Sequence, residues 1–143
     1  MSLPSPGATA EAAPDDRRAS LGRALLRIDI RTAPPGFLVM SLRALLETLD
    51  PVAQSNRAFL GAITPVLQAA AGQAVHERAH AAVRMGLEFD RRYREIGAIA
   101  ARLGGAGDEI VFSAAEAARD LAFLGILLRD ETAAIARFAT AAA

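Results

Sequence analysis

Between Pro65 and Leu103 the apolar residues recur every three to four positions. On a wheel of 100° per residue, Val75, Ala79, Ala82, Val83, Phe89, Tyr93, Ile96, Ala100 and Leu103 share one face, together with Gly72, Gly86 and Gly97. A strand cannot carry that pattern, because its side chains alternate with a period of two. The stretch is predicted to be one long amphipathic helix, and such a stripe must be covered by other helices. Glycine within a helix costs about 1 kcal/mol relative to alanine. A glycine and alanine stripe therefore predicts close approach of a neighbouring helix. The opposite face carries Glu77, Arg84, Glu88, Arg91, Arg92 and Glu95. Arg84 with Glu88, Glu88 with Arg92, Arg91 with Glu95 and Asp90 with Arg94 are spaced for i,i+4 pairing on a solvated surface.

The rest of the chain reads as shorter helices around this one. Residues 1–13 are rich in Pro, Gly, Ala and Ser, lack a period, and are expected to form a disordered tail. Residues 14–143 are expected to be a single helical domain. Pro14, Asp15 and Asp16 suit a first turn, followed by Leu21, Leu25 and Ile28 on one face. Thr32–Pro35 is a stop, since two consecutive prolines cannot continue a helix. Gly36–Leu49 is the most apolar segment, with Leu38, Leu42, Leu45, Leu46 and Leu49 in one stripe. Asp50-Pro51 and Thr64-Pro65 both have the form of N-cap plus first helical residue, which predicts a short helix over 51–63 before the long one. A single kinked helix through one or both prolines is the competing reading. Gly104, Gly105 and Gly107 suit a left-handed C-cap. Asp108–Phe112 is then a connector, and Ser113 with Glu116 fits a capping box that starts a last helix reaching about Ala139. In that helix Leu121, Leu124, Leu127, Leu128, Ile135 and Phe138 are expected inside. Asp120 and Glu131 fall on the same side, where a carboxylate needs a partner, a metal or a raised pKa. The fold class is all-α, a helical bundle of about four to five helices.

Charge and composition narrow the function classes. Lys+Arg and Asp+Glu both total 16, every cation is an arginine, and acids are interleaved with them. With one tyrosine and no tryptophan, a basic face with stacking platforms for nucleic acid is not supported. The chain has no cysteine, hence no disulfide, thiolate site or thiol nucleophile. The longest uncharged run, Ala58–His76, contains Pro65, Gln68 and Gln73 and makes a poor membrane span. With no basic and apolar leader at the start, the expected location is the cytoplasm. No serine has a His and Asp pattern beside it, and Gly104–Gly107 lacks the lysine of a phosphate loop.

One short motif has a catalytic form. His76, Glu77 and His80 make His-Glu-x-x-His, which resembles the zinc metallopeptidase motif. There two imidazoles a helical turn apart hold Zn²⁺ and the glutamate polarises a bound water. Arg78 is unusual inside such a motif, no third histidine exists, and the third ligand would fall to Glu95, Glu109, Asp120 or Glu131. Glu77-x-x-His80 also resembles the half-site of di-iron carboxylate bundles, an all-helical family. Encapsulated ferritin-like proteins assemble such a site from two subunits. By that resemblance a dimer binding Fe would use Glu77, His80 and Glu47, with His76 and Glu131 as further candidates.

The surplus of Ala- and Leu-rich amphipathic helix, without a complete catalytic set, points first to a non-enzymatic protein that works by association. The expected partner is a second copy, another helical protein, or an apolar surface. For the last, the composition is similar to that of phasin-type granule coats. The metal-binding bundle is the alternative.

Overall fold

The computed structural model describes the backbone of residues 14–69 and 73–142, with side chains for residues 16–63, 77–135 and 137. The expected tail over 1–13 lies outside the described residues. Four α-helices follow one another: α1 (Pro14–Ala24), α2 (Pro35–Ala69), α3 (Gln73–Ala100) and α4 (Asp108–Ala142). Short 3₁₀ turns at Ile30–Thr32 and Leu103–Gly105 lie in the connections before α2 and before α4. No strand occurs among the described residues, and the protein is all-α.

Helices α2, α3 and α4 form an up-down-up bundle whose seams follow a three-four spacing. In α3 the inward residues are Ala79, Ala82, Gly86, Phe89, Tyr93, Ile96, Ala100 and, just past its end, Leu103. In α4 they are Val111, Ala114, Ala118, Leu121, Gly125, Leu128, Thr132 and Ile135. In α2 they are Leu38, Leu42, Leu45, Leu49, Val52, Asn56, Phe59 and Ile63. Each set is a heptad pattern, the packing of coiled-coil bundles. The cross-helix contacts fix the directions. Asn56 reaches Gly86 and Arg43 reaches Ala100, so α2 and α3 are antiparallel. Arg78 pairs with Glu131 and Phe89 packs on Gly125, so α3 and α4 are antiparallel too. Helix α1 lies antiparallel on the first half of α2.

Two positions set how closely the helices approach. A Cβ at Gly22 would lie 2.8 Å from the backbone N and Cα of Leu45, so α1 rests on α2 backbone to backbone. A Cβ at Gly86 would lie 2.6 Å from Asn56 Oδ1 and 3.2 Å from Leu60. Asn56 is only 3% exposed and donates from Nδ2 to the Gly86 carbonyl at 2.8 Å. Its Oδ1 meets no N–H or O–H and faces the Gly86 Cα, a contact open only to glycine. The close approach predicted from the α3 glycines thus holds at Gly86. It fails at Gly97, which is exposed with open space around it. Gly72 lies outside the described residues.

Other expectations need correction. The helix predicted from Pro65 to Leu103 is divided: residues 65–69 end α2, and α3 begins at Gln73. The breaks predicted at Pro51 and Pro65 are absent, because α2 runs through both prolines. Pro51 deprives the Glu47 carbonyl of its helical donor, but both residues are exposed, so water can serve that carbonyl. Beside it, the Tyr93 hydroxyl donates to the carbonyl of the preceding residue, Leu46, at 3.4 Å and to Asp50 Oδ1 at 3.1 Å. The left-handed cap at Gly104–Gly107 is also absent, since no described glycine has a positive φ. Instead Arg43 donates from Nε and Nη2 to the last α3 carbonyl, Ala100. Asp108–Phe112 is the start of α4, not a connector. The backbone N–H of Ile110 and of Val111 both bond the Gly107 carbonyl, and Asp108 and Glu109 favour the helix N-terminus. Ser113, read as an N-cap, is an exposed residue inside the helix.

Arg31 ties the connection before α2 to α4. It pairs with Glu109 and Glu116 and lies 5.3 Å over the Phe112 ring, and these carboxylates raise its pKa further. No described helix is long and apolar enough to cross a membrane.

Candidate functional site

The inward heptad of α4 leaves its outer side free to carry a second pattern, and that side is apolar at its centre. Phe123, Ile126 and Leu127 are 48%, 51% and 57% exposed, spaced i, i+3, i+4 on one helix. Large apolar side chains at that spacing form one continuous patch. Leu127 was expected inside with Leu121 and Leu128. The structure places it outside, because the inward stripe narrows to the seam of Leu121, Gly125 and Leu128, and Leu127, one residue before Leu128, is turned about 100° away from it. Asp120, expected on the apolar face, is likewise exposed, at the edge of a groove shared with Arg91, Arg92 and Glu95.

Charges bracket the patch. Arg119-Asp120 precedes it and Arg129-Asp130 follows it. Asp120, Arg129 and Asp130 are exposed, and none of the ion pairs among the described residues uses them. Arg119 is half-buried and spends one Nη1 bond, 3.3 Å, on the Ile28 carbonyl. Beside the patch an open cleft of about 620 Å³ is lined by Ser55, Ile126, Arg129, Asp130, Thr132 and Ala133. The cleft lies between α2, which supplies Ser55, and α4, which supplies the other lining residues.

The histidine segment lies elsewhere, on the first turns of α3. Glu77 and His80 are exposed, Arg78 pairs with Glu131 at 2.8 Å, and the side chain of His76 lies outside the described residues. Glu131 thus meets its need for a partner with a guanidinium. Glu47 pairs with Arg18 of α1, which raises the Arg18 pKa. The Tyr93 contact to Leu46 puts Glu47 level with Tyr93, about 20 Å along the bundle from His80 by the helical rise. Within one chain the structure brings Glu131 close to the His-Glu segment and leaves Glu47 far from it. Of the other third-ligand candidates, Glu95 pairs with Arg91 and Glu109 with Arg31. Among the described residues no three His, Asp or Glu gather in a group that could hold a metal ion.

The solvated face of α3 forms as its spacing indicates for three of four pairs. Arg92 meets Glu88, Arg91 meets Glu95 and Arg94 meets Asp90. Arg84 does not pair with Glu88, which is held by Arg91 and Arg92. Those two arginines, Arg91 first, draw the Glu88 carboxyl below its ordinary pKa.

Compared with protein-family models, with curated proteins and with solved structures, the chain finds no match.

Proposed function

We propose that the protein is a non-enzymatic helical association module that binds through the outer face of α4. The observation that carries this reading is the patch of Phe123, Ile126 and Leu127, three large apolar side chains about half exposed and framed by charges without ion-pair partners among the described residues. An apolar centre with a polar rim is the anatomy of an association surface. The inward face of α4 already supplies its share of the core, and about half of each outward apolar side chain stays in water. The candidate occupants are a second copy, another helix, or an apolar surface.

Hydrogen exchange over α4 tests the reading. The backbone of residues 119–133 is expected to gain protection when the protein is concentrated or offered phospholipid vesicles or oil droplets, while α3 stays unchanged. Phe123→Ser with Leu127→Ser should remove the gain and leave the fold intact. Unchanged exchange of α4 under every one of these conditions would end the proposal.

A further inference from the structure

We infer that the cleft between α2 and α4 is the seat of the chain's own segment before α1, residues 2–13, held there by an ion pair between Glu11 and Arg129. This stands apart from the association reading, because the cleft opens on the α2 side of α4 and its occupant leaves Phe123 and Leu127 uncovered. The cleft is one part of a longer groove whose other part α1 already fills. Along the α4 wall, Ala115, Arg119, Ala122, Ile126, Arg129 and Ala133 follow one three-four line. Ala115 and Ala122 are 0% and 5% exposed, and between them Arg119 bonds the carbonyl of Ile28, just past α1. Ile126, Arg129 and Ala133, further along the same line, are exposed. The α2 wall changes in the same way, from Ser41 and Ala44, which are fully buried, to Ser55, which is exposed.

The change falls where α1 begins. Arg18 pairs with Glu47, so in these antiparallel helices Pro14, four residues before Arg18, lies level with Pro51, four residues after Glu47. Ser55 stands one turn beyond that level, and residue 13 joins Pro14 at the foot of the cleft. Behind the rim, a recess of about 50 Å³ is walled by Val52, Phe59 and Leu128, with Ser55, Arg129 and Thr132 at its mouth. Glu11 is the one charged side chain in residues 1–13. It precedes Pro14 by three residues, about 10 Å of chain at full stretch, so the carboxylate is tethered beside the level of Arg129. Arg129 is exposed and enters no ion pair among the described residues. Ala8, Ala10, Ala12 and Ala13 are small enough for a narrow seat, as Gly22 is where α1 crosses α2.

The chain has no cysteine, so a pair of introduced cysteines reports this contact alone. In the full chain, Ala12→Cys with Ser55→Cys is expected to close a disulfide within one molecule about tenfold faster than Ala12→Cys with Ala98→Cys, an exposed position near the end of α3. Nearness along the chain alone would also favour the first pair, so the charges decide. Arg129→Glu should slow its closure about twofold to fivefold, and adding Glu11→Arg should restore the original rate. Ser55 and Arg129 are exposed, so circular dichroism should be the same for every variant. Closure indifferent to the charge at position 129, or not recovered by the double swap, overturns the inference. A disulfide that joins two molecules instead of closing within one overturns it as well, and assigns the cleft to a second copy.

Discussion

Replacing Gly86 by alanine sets two effects of known sign against each other. In a helix interior alanine is favoured over glycine by about 1 kcal/mol. At this position the new Cβ would sit 2.6 Å from Asn56 Oδ1 and 3.2 Å from Leu60 Cδ2. Asn56 is buried, so its amide cannot swing into water. Displacing it breaks the 2.8 Å bond from Nδ2 to the Gly86 carbonyl and leaves a buried donor without a partner, about 1–3 kcal/mol. Crowding the seam adds about 1–3 kcal/mol. Gly86→Ala should therefore destabilise by roughly 1 to 5 kcal/mol. The same substitution made in an Asn56→Ala background should do the opposite. With the amide gone, the Cβ enters vacated space, and the propensity gain of up to about 1 kcal/mol survives, less what Leu60 takes back. Urea unfolding followed by circular dichroism, at a protein concentration where the mass is constant, gives all four corners of the cycle. The reasoning is refuted if Gly86→Ala has the same sign in both backgrounds, or if it stabilises the unmodified chain.

Gly22→Ala should cost about 1–3 kcal/mol, because the new Cβ meets Leu45 backbone and not a movable side chain; urea unfolding that shows no loss would contradict the close crossing of α1 on α2. Tyr93 is the sole tyrosine and there is no tryptophan, so its phenolate absorbance can be read alone; burial first, then Asp50, raises its pKa, and the midpoint should lie above 10.0. Stability from this group is fully present below the unfolded value and should fall as pH rises from about 10 through the folded value, a fall that Tyr93→Phe removes. Melting temperature should not move on adding Zn²⁺ or Fe²⁺ or on chelation; a metal-dependent rise that His80→Ala abolishes would favour the ferritin-like alternative instead.

The helical class was legible because α3 carries one uninterrupted stripe, and its inward residues Phe89, Tyr93 and Ile96 turn up where the wheel puts them. The ends of the helices were not, and for physical reasons. Asp50-Pro51 looks like a helix start because proline suits a first turn, yet a proline whose lost bond falls on an exposed carbonyl is tolerated inside. Ser113 and Glu116 match a capping box, but Gly107 followed by Asp108 and Glu109 opens the helix sooner and lets Val111 reach the core. Leu127 was assigned inward because a wide arc at 100° per residue takes in everything apolar. A 3.5-residue seam is narrower and follows a slightly different pitch, and this excess of apolar residues over what the seam can bury was the sequence signal for the outer patch. The Asn56 contact with Gly86 joins residues on separate helices, so no local pattern announces it. Glu47 and His80 were grouped by chemistry alone, and the antiparallel register of α2 and α3 sets them apart.

The unequal thickness of the bundle has a consequence for how it comes apart. Around Leu25, Ile30, Leu38, Leu103 and Val111, α1 and its following turn add a fourth layer. Among the described residues the other end has Ile63, Ala79, Ala82 and Ile135, with Phe59 and Val83 against them, and two of those six are alanines. The described residues of that end supply less apolar area per turn. Spontaneous local unzipping should therefore start there and halt near the Asn56 level, so that amides around Leu42 and Leu121 exchange only when the whole molecule unfolds.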